Sequence, residues 1–174
     1  IFSVFNIAQK IRYKNNVKIN NCDITNYVVG IYLYHSSSNI IENNIGRNNR
    51  DSIYLYYYSD NNIITGNYLK HNLWRAIMVQ ASGYNLIENN ETVDNKHHSY
   101  IYSHNKGQGQ GIELAGIKYP SNIGGNNIVK NNPNLDYLQT IQARTGLNKL
   151  FAPEGGVVPQ EGELALLKKV FGNQ

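Results

Sequence analysis

The sequence has few residues that could fix a fold by covalent or ionic means. Among 174 residues there are one cysteine, one methionine and four prolines, and only 16% of the residues are charged. A single cysteine, Cys22, cannot form an intramolecular disulfide, which excludes a small disulfide-stabilised domain. We expect Cys22 to be a small buried apolar residue. No apolar run is long enough for a transmembrane helix, so we predict no membrane span.

Asparagine, by contrast, is abundant and recurs at a fixed spacing. The chain has 28 asparagines, of which 26 lie within the first 134 residues. Three columns of asparagine and one of serine repeat with a step of 23 residues. The columns are Asn16, Asn39, Asn62 and Asn85; Asn21, Asn44, Asn67 and Asn90; Asn26, Asn49, Asn72 and Asn95; and Ser36, Ser59 and Ser82. A fixed period of this size predicts a solenoid, in which each repeat stacks on its neighbours.

The content of one repeat indicates which solenoid is formed. Each repeat holds short runs rich in Ile, Val, Leu and Tyr, separated by Asn, Gly, Ser and Asp. This is the composition of strands joined by turns. The repeats have neither helical periodicity nor the Leu-x-x-Leu-x-Leu pattern of leucine-rich repeats. We therefore predict an all-β fold, a parallel β-helix solenoid of about five coils, whose strands stack about 4.8 Å apart.

The asparagine columns have a structural explanation. Asparagine tolerates left-handed backbone conformations and bonds to nearby backbone groups, so it suits tight bends between strands. When asparagines stack in register, each side-chain amide can donate to the carbonyl of the asparagine one coil away, which forms a ladder. We predict an asparagine ladder and assign these residues to the fold, not to catalysis.

Three segments carry a resemblance to a known family. They are SSSNIIENNI, SDNNIITGNYL and SGYNLIENNE, preceded in turn by GIYL, SIYL and AIMV. Over residues 15–132 this pattern resembles the right-handed parallel β-helix repeats of the NosD-like family. Similar repeats occur in carbohydrate-binding and sugar-processing β-helix proteins, including pectate-lyase-like enzymes and alginate epimerases. The resemblance implies the fold, but the same coil carries lyases, hydrolases, epimerases and proteins without activity.

The solenoid is predicted to occupy most of the chain. Residues 1–134 form the parallel β-helix, with irregular loops over residues 96–126, where the period is lost. Ser3 falls in the column of Asn26, so the chain starts in mid-coil and is predicted to be a fragment of a longer solenoid. The alternative is a short capping segment over residues 1–14.

The C-terminal segment has a different composition. Residues 135–174 are predicted to form a helical and loop cap with two short helices. The first helix begins after Asn134 and ends at Gly146, and the second covers residues 161–171. Apolar residues at helical spacing mark the first helix: Leu135, Leu138 and Ile141. This segment covers the end of the hydrophobic stack, or it makes the chain oligomeric; we expect a monomer or an oligomer formed through this segment.

Alternation along the strands places a row of tyrosines on the surface. The inward residues are Ile31 and Leu33, Ile53 and Leu55, Ile77 and Val79, and Ile112 and Leu114. The outward rows are Tyr32, Tyr54, Met78 and Glu113, and beside them Tyr34, Tyr56 and Gln80. Exposed tyrosine rings suit stacking on sugar rings, and the predicted substrate-binding residues are Tyr32, Tyr34, Tyr54, Tyr56, Tyr58 and Gln80. The alternative is cross-strand stacking that only stabilises the sheet.

Three residues beside this face are candidates for catalysis. Glu113 lies on the outward face, and Asp51 and Arg75 precede strands, at the expected rim of a groove. A lyase needs a base to remove a proton and a cation or Ca²⁺ to neutralise a uronate carboxyl group. A hydrolase needs two carboxylates on either side of the bond, whereas Asp51 and Asp60 lie at opposite ends of one strand. The alternative is that all three candidates are solvated turn or rim residues. We expect no cofactor, except Ca²⁺ if the protein is a lyase.

Three histidines lie in the insertion that breaks the fourth repeat: His97, His98 and His104. Histidines grouped in this way can bind a metal or transfer protons. The alternative is a surface loop without a ligand.

Charge limits the class of partner. The formal net charge is +4, without the clustered Lys and Arg typical of nucleic-acid binding. A mildly basic surface suits an acidic polymer, so the predicted partner is a polysaccharide, possibly an acidic one, and not a nucleic acid.

Two hypotheses about the function remain. One is a carbohydrate-binding or structural β-helix module of a secreted, periplasmic or cell-surface protein. The other is a polysaccharide-active enzyme (a lyase, epimerase or hydrolase) that acts on an acidic glycan.

Overall fold

The chain folds as a solenoid of short parallel strands. A computed structural model describes residues 6–95, 110–115, 126–132, 138–141 and 149–150. These residues form strands, turns and bends and contain no helix, so none that could cross a membrane. Four successive coils each add one strand to each of three sheets, and strands of two further coils follow. The predicted parallel β-helix is confirmed.

The first sheet contains the longest strands. In spatial order they are β1 (Ile7–Arg12), β4 (Val29–Tyr34), β7 (Asp51–Tyr56), β10 (Arg75–Gln80), β13 (Gln110–Ala115) and β15 (Leu138–Ile141). Neighbouring strands are parallel and in register, so equivalent side chains of successive coils form rows across the sheet.

The second and third sheets are built from shorter strands. The second contains β2 (Lys18–Asn20), β5 (Ile40–Glu42), β8 (Ile63–Thr65), β11 (Leu86–Glu88), β14 (Ile128–Lys130) and β16 (Lys149–Leu150). The third contains β3 (Asp23–Thr25), β6 (Ile45–Arg47), β9 (Tyr68–Lys70) and β12 (Glu91–Val93). Tight bends separate these strands, and asparagine dominates the bends.

The first coil is one residue shorter than the period predicts. Val17 bonds to Asn39 across 22 residues, whereas Asn39 bonds to Asn62 across 23 residues. The prediction that the asparagine columns begin in the first coil is therefore wrong for three residues: Asn16, Asn21 and Asn26. They lie at the bends, with left-handed φ angles between 56° and 68°.

Three other residues take the vacated places in the columns and pack against the core: Val17, Cys22 and Tyr27. The backbone N–H of each donates to an asparagine side chain of the next coil at 2.9–3.0 Å. Cys22 is partly buried there and is a free thiol. The first member of each column is therefore Val17, Cys22 or Tyr27, whose side chain has no amide group that could donate to the asparagine of the next coil.

Asparagine was predicted both to form the tight bends and to form the hydrogen-bonded ladders, and two adjacent residues at each bend share these roles. At the bends, Asn43, Asn48 and Asn89 adopt left-handed φ angles of 53°, 54° and 55°. The residue that follows each of them is a buried asparagine: Asn44, Asn49 and Asn90. The first member of each pair turns the chain, and the second fills the interior of the bend.

The buried asparagines form the predicted ladders. Asn39 Nδ2 donates to Asn62 Oδ1 at 3.0 Å, and the next two steps, to Asn85 and Asn127, are 3.1 and 3.0 Å long. The backbone N–H of each donor residue bonds to the same oxygen at 2.8–3.0 Å. A second ladder connects Asn44, Asn67, Asn90 and Asn132. These bonds satisfy polar groups that the bends would otherwise bury unpaired.

The core lies between the three sheets, and the predicted inward residues of the first sheet are confirmed. Each is at most 1% exposed: Ile31, Leu33, Ile53, Leu55, Ile77, Val79, Ile112 and Leu114. The alternation is interrupted at the start of β10, where both Ala76 and Ile77 belong to the core. Arg75, directly before this pair, therefore lies on the outward side of the sheet.

The C-terminal part departs from the prediction. Leu138–Ile141 is a strand that pairs in parallel with Ile112–Ala115, so the helix predicted from Asn134 to Gly146 is wrong. Lys149 and Leu150 also pair with the second sheet, so the solenoid extends beyond residue 134. The helix predicted over residues 161–171 lies outside the described residues. At the other end, Ile7–Arg12 pairs with β4 and continues the solenoid.

Candidate functional site

A groove of about 470 Å³ crosses three strands of the first sheet on its outward face. It is lined by Ile7, Lys10, Arg12, Val28, Val29, Tyr32, Tyr34, Arg50, Tyr54 and Tyr56. These residues come from β1, β4, β7 and the residues directly before β4 and β7. The groove therefore runs across the strands, along the rows of stacked side chains.

The tyrosine rows have the predicted register. Tyr32 pairs with Tyr54, and Tyr34 with Tyr56. The ring centroids of the two pairs are 5.6 and 5.9 Å apart, close to the spacing of the strands. The rings contact one another, as the stabilising interpretation requires, and they also line an open groove. Both predicted roles are thus compatible with the same four side chains.

The tyrosine hydroxyl groups are neutral donors over the physiological range. Burial, followed by the neighbouring Tyr56 and Tyr34, raises the pKa of Tyr32 to about 12. Burial also raises the pKa of Tyr54, although Arg75 lowers it. The Tyr54 hydroxyl donates to Gln80 Oε1, which leaves the hydroxyl groups of the more exposed tyrosines as the available polar contacts of the groove.

Three basic residues of the groove were missed by the sequence analysis. Lys10 pairs with Tyr32 and Arg12 with Tyr34, so both rows of tyrosines begin with an exposed cation. Arg12 lies over the ring of Tyr34, with its Cζ 5.1 Å from the ring centroid. The third is Arg50. Among the described lining residues there is no carboxylate, so the groove is basic and aromatic.

The guanidinium of Arg50 forms an ion pair with a buried acid, Asp51. Its Nε lies 2.9 Å from Asp51 Oδ2, and the Asp51 side chain is fully buried. Burial raises the pKa of Asp51, and the charges of Arg75 and Arg50 oppose this rise. Arg50 is itself 43% exposed and reaches the groove. Asp51 thus limits the directions in which Arg50 can point.

The three candidate catalytic residues meet, but they are not at a solvated rim. Arg75 Nε lies 2.6 Å from Glu113 Oε2, and Arg75 Nη1 lies 3.4 Å from Asp51 Oδ1. Asp51, Arg75 and Glu113 are 0%, 8% and 6% exposed, so the prediction of solvated turn or rim residues is wrong. The interrupted alternation before Ile77 allows Arg75 to reach Glu113 on the neighbouring strand.

Electrostatics favour a structural role for this cluster. Burial raises the pKa of Glu113, and Arg75 lowers it by its charge and its hydrogen bond. The Arg75 Cζ lies 3.8 Å from the ring centroid of Trp74, so the guanidinium is also stacked. An acid that is buried and bonded to an arginine is a poor base for a substrate, because it must first lose that partner.

Comparison with known proteins identifies the family. The family described as a right handed beta helix region matches residues 10–146. The chain belongs to this family. No curated protein and no solved structure matches the chain.

The remaining predicted residues of this β-helix lie elsewhere. Tyr58 is 43% exposed at the bend after β7, where its ring lies 5.1 Å from that of His35. Gln80 contacts Tyr54 and does not line the groove. His97, His98 and His104 lie outside the described residues. Within the described residues, no three His, Cys, Asp or Glu side chains are grouped closely enough to hold a metal.

Proposed function

We propose that this β-helix binds carbohydrate in the groove of its first sheet, and that it prefers acidic glycans. The supporting observation is the combination of four tyrosines with Lys10, Arg12 and Arg50 in one open groove. Tyrosine rings provide flat apolar faces and hydroxyl groups for sugar rings. The three cations attract carboxylates, and no carboxylate among the described lining residues opposes them.

This function fits a module of a secreted, periplasmic or cell-surface protein, where polymeric glycans occur. We propose that the module has no catalytic activity, because both candidate acids, Asp51 and Glu113, form ion pairs with arginines. The second candidate function, an enzyme that acts on an acidic glycan, is favoured by one observation. Arg75 and Glu113 meet beside Met78, which continues the row of Tyr32 and Tyr54.

The first experiment compares binding with turnover. Affinity electrophoresis with pectate, alginate and neutral glycans in the gel should retard the protein in the acidic polymers. Mass spectrometry of the same glycans after incubation, with and without Ca²⁺, should show no new products. Unsaturated fragments, each one water lighter than the corresponding hydrolysis fragment, would indicate a lyase, and fragments that together have gained a water would indicate a hydrolase. Unretarded migration in every gel would contradict binding.

Removing the basic residues of β1 should weaken binding to acidic glycans selectively. We expect Lys10→Gln combined with Arg12→Gln to reduce affinity for the retained polyuronate about tenfold, because two exposed charge interactions of roughly 0.5–1 kcal/mol each are lost. Titration calorimetry at two salt concentrations measures the affinity and its salt dependence. A neutral glycan, if bound, should be affected little.

The matched control carries a charge change on another sheet. Lys18 lies on β2 of the second sheet, where it pairs with Glu42 at 2.7 Å, and it does not line the groove. Lys18→Gln should leave the affinity unchanged. Equal losses in the Lys18 and Lys10 single variants would mean that net charge, and not the groove, determines binding.

A further inference from the structure

We infer that Arg50 is the residue of the groove that recognises the carboxylate of a uronate sugar; this inference rests on the proposed function. Three cations line the groove, but they differ in how their side chains are held. A guanidinium in a fixed orientation presents two parallel N–H groups to one carboxylate, which adds geometric specificity to the attraction between charges. Arg50 is held by its backbone, by its Nε and by the face of its guanidinium.

The backbone of Arg50 is fixed by both neighbouring coils. Its N–H donates to Tyr27 O, one coil earlier, at 2.9 Å. Its carbonyl oxygen accepts from the N–H groups of Trp74 and Arg75, one coil later, at 2.9 and 3.2 Å. Two successive residues thus bond to one residue of the neighbouring coil, as in a β-bulge. Three hydrogen bonds therefore fix the point from which the Arg50 side chain extends.

Two contacts orient the side chain itself. Arg50 Nε lies 2.9 Å from Asp51 Oδ2, and Arg50 Cζ lies 5.7 Å from the ring centroid of Trp74, within the range of a cation–π contact. Arg75 holds both of these partners in place. Its Nη1 lies 3.4 Å from Asp51 Oδ1, and its Cζ lies 3.8 Å from the ring centroid of Trp74. The orientation of Arg50 is thus supported by a buried cluster.

These contacts leave one edge of the Arg50 guanidinium for a ligand. Asp51 occupies Nε, and within the described ranges neither Nη group forms a hydrogen bond or an ion pair. Arg50 is 43% exposed and lines the groove. The lining residues nearest to it in register are apolar, Val28 and Val29. Apolar surroundings strengthen a charge pair, so a carboxylate that both Nη groups hold is favoured here.

The charges next to Arg50 alternate in sign. Glu113 is bonded to Arg75, which is also bonded to Asp51. Asp51 is in turn bonded to Arg50. Two acids and two arginines have no net charge, so the cluster exerts little attraction at a distance. Arg50 therefore acts on a carboxylate by close contact, and the bound carboxylate adds the next charge of the alternating series.

The other two cations of the groove are suited to general attraction. Arg12 lies over the rings of Tyr13 and Tyr34, with its Cζ 5.0 and 5.1 Å from their centroids. Stacking on a ring does not determine which N–H groups face a ligand. Lys10 carries a compact point charge without a planar pair of donors. We assign the attraction of acidic polymers to these two residues, and the distinction between a carboxylate and a neutral group to Arg50.

Replacing Arg50 with lysine tests the assignment, because lysine keeps the charge and loses the parallel donors. The probes are pectate or alginate, whichever the gels retain, and the same polymer with its carboxyl groups methyl-esterified. Titration calorimetry measures the affinities in low salt and in about 1 M salt, where the screening length is about 3 Å. Thermal unfolding followed by circular dichroism verifies that the variant is folded in the assay.

Arg50→Lys should lower the affinity for the free acid about tenfold in both salt concentrations, the effect of one hydrogen bond to a charged group. Its affinity for the ester should equal that of the wild-type protein. Lys10→Gln is the matched control: its smaller loss should largely disappear in 1 M salt, because the lysine acts through its charge.

The outcomes separate the inference from the proposed function. An unchanged affinity of Arg50→Lys for the free acid, or an equal loss for the acid and the ester, would overturn the role of Arg50 and leave carbohydrate binding intact. A wild-type protein that binds the ester as tightly as the acid would overturn it as well. If the ester binds to neither protein, the affinity for the free acid decides. A wild-type protein that no polymer retards would instead contradict the proposed function.

Discussion

Replacing Arg75 with methionine should lower the free energy of unfolding by about 3–5 kcal/mol, because it leaves buried carboxylates without their main partner. Arg75 is bonded to Asp51 and Glu113, and these two side chains are 0% and 7% exposed. Methionine keeps the length and apolar character of the side chain, so the loss reports the missing charge. Urea denaturation of both proteins at pH 7 measures it.

The pH dependence of this loss follows from the pKa directions. Burial raises the pKa of Asp51 and of Glu113, and Arg75 lowers both. Without Arg75 both pKa values rise further above the ordinary carboxyl value of about 4. A carboxyl group with a raised folded-state pKa destabilises the fold as pH rises from that ordinary value through the raised one. Arg75→Met should therefore regain stability between pH 7 and pH 4.

An exposed ion pair of equal length provides the control. Arg47 Nη2 lies 2.6 Å from Asp23 Oδ2, but the two side chains are 44% and 48% exposed. Arg47→Met should lower the free energy of unfolding far less than Arg75→Met does, because solvent screens this pair. If the two methionine variants lose equal stability, or if the Arg75 variant is as unstable at pH 4 as at pH 7, the buried cluster is not what stabilises this region.

Replacing Asn90 with alanine should lower the free energy of unfolding by roughly 3 kcal/mol. The hydrogen bonds of the side chain are lost, and a buried donor is left without an acceptor. Asn90 Oδ1 accepts from the backbone N–H and from the side chain of Asn67, at 3.1 and 2.9 Å. Its own Nδ2 donates to Ile64 O at 2.9 Å, to Glu88 O at 3.0 Å and to Asn132 Oδ1 at 3.2 Å. Alanine removes all five bonds, and equilibrium denaturation measures the effect.

The neighbouring asparagine is the matched control. Asn89 is exposed and has a φ angle of 55°, and Gly66 occupies the equivalent position one coil earlier with a φ angle of 64°. Asn89→Gly keeps the bend and removes only an exposed side chain, so it should change stability by no more than about 0.5 kcal/mol. Comparable losses at positions 89 and 90 would show that turn propensity, and not the ladder, explains the asparagine columns.

Much of the fold could be predicted because its chemistry is local. A left-handed bend followed by an inward amide needs only two adjacent residues, so each repeat can be recognised in the sequence. The register of the first coil was missed because one residue is absent there, which moves Asn16 out of the column and Val17 into it. Apolar spacing in Leu135, Leu138 and Ile141 fitted a helix, whereas pairing with Ile112–Ala115, a nonlocal contact, makes part of it a strand.

The candidate site was predictable only in part. Alternation placed Tyr32, Tyr34, Tyr54 and Tyr56 on one face, and the same rule applied to β1 would have found Lys10 and Arg12. They were missed because the sequence repeat was recognised only from the second part of the first coil. The burial of Arg75 depends on contacts with other strands, and no pattern in its own segment signals it.

The ladders also determine the order in which the coils can complete their hydrogen bonds while the chain is being synthesised. In the two ladders, each donor asparagine gives one of its amide hydrogen bonds to the asparagine of the coil that follows it in the chain, so a finished coil stays incompletely bonded until the next one has been synthesised. For Asn39 the partner lies 23 residues later, a delay of about 1–5 s at usual rates of synthesis. For Asn85 the partner lies 42 residues later, which lengthens the delay to about 2–8 s. We expect the growing chain to be most open to proteases and to misassembly after its fourth coil.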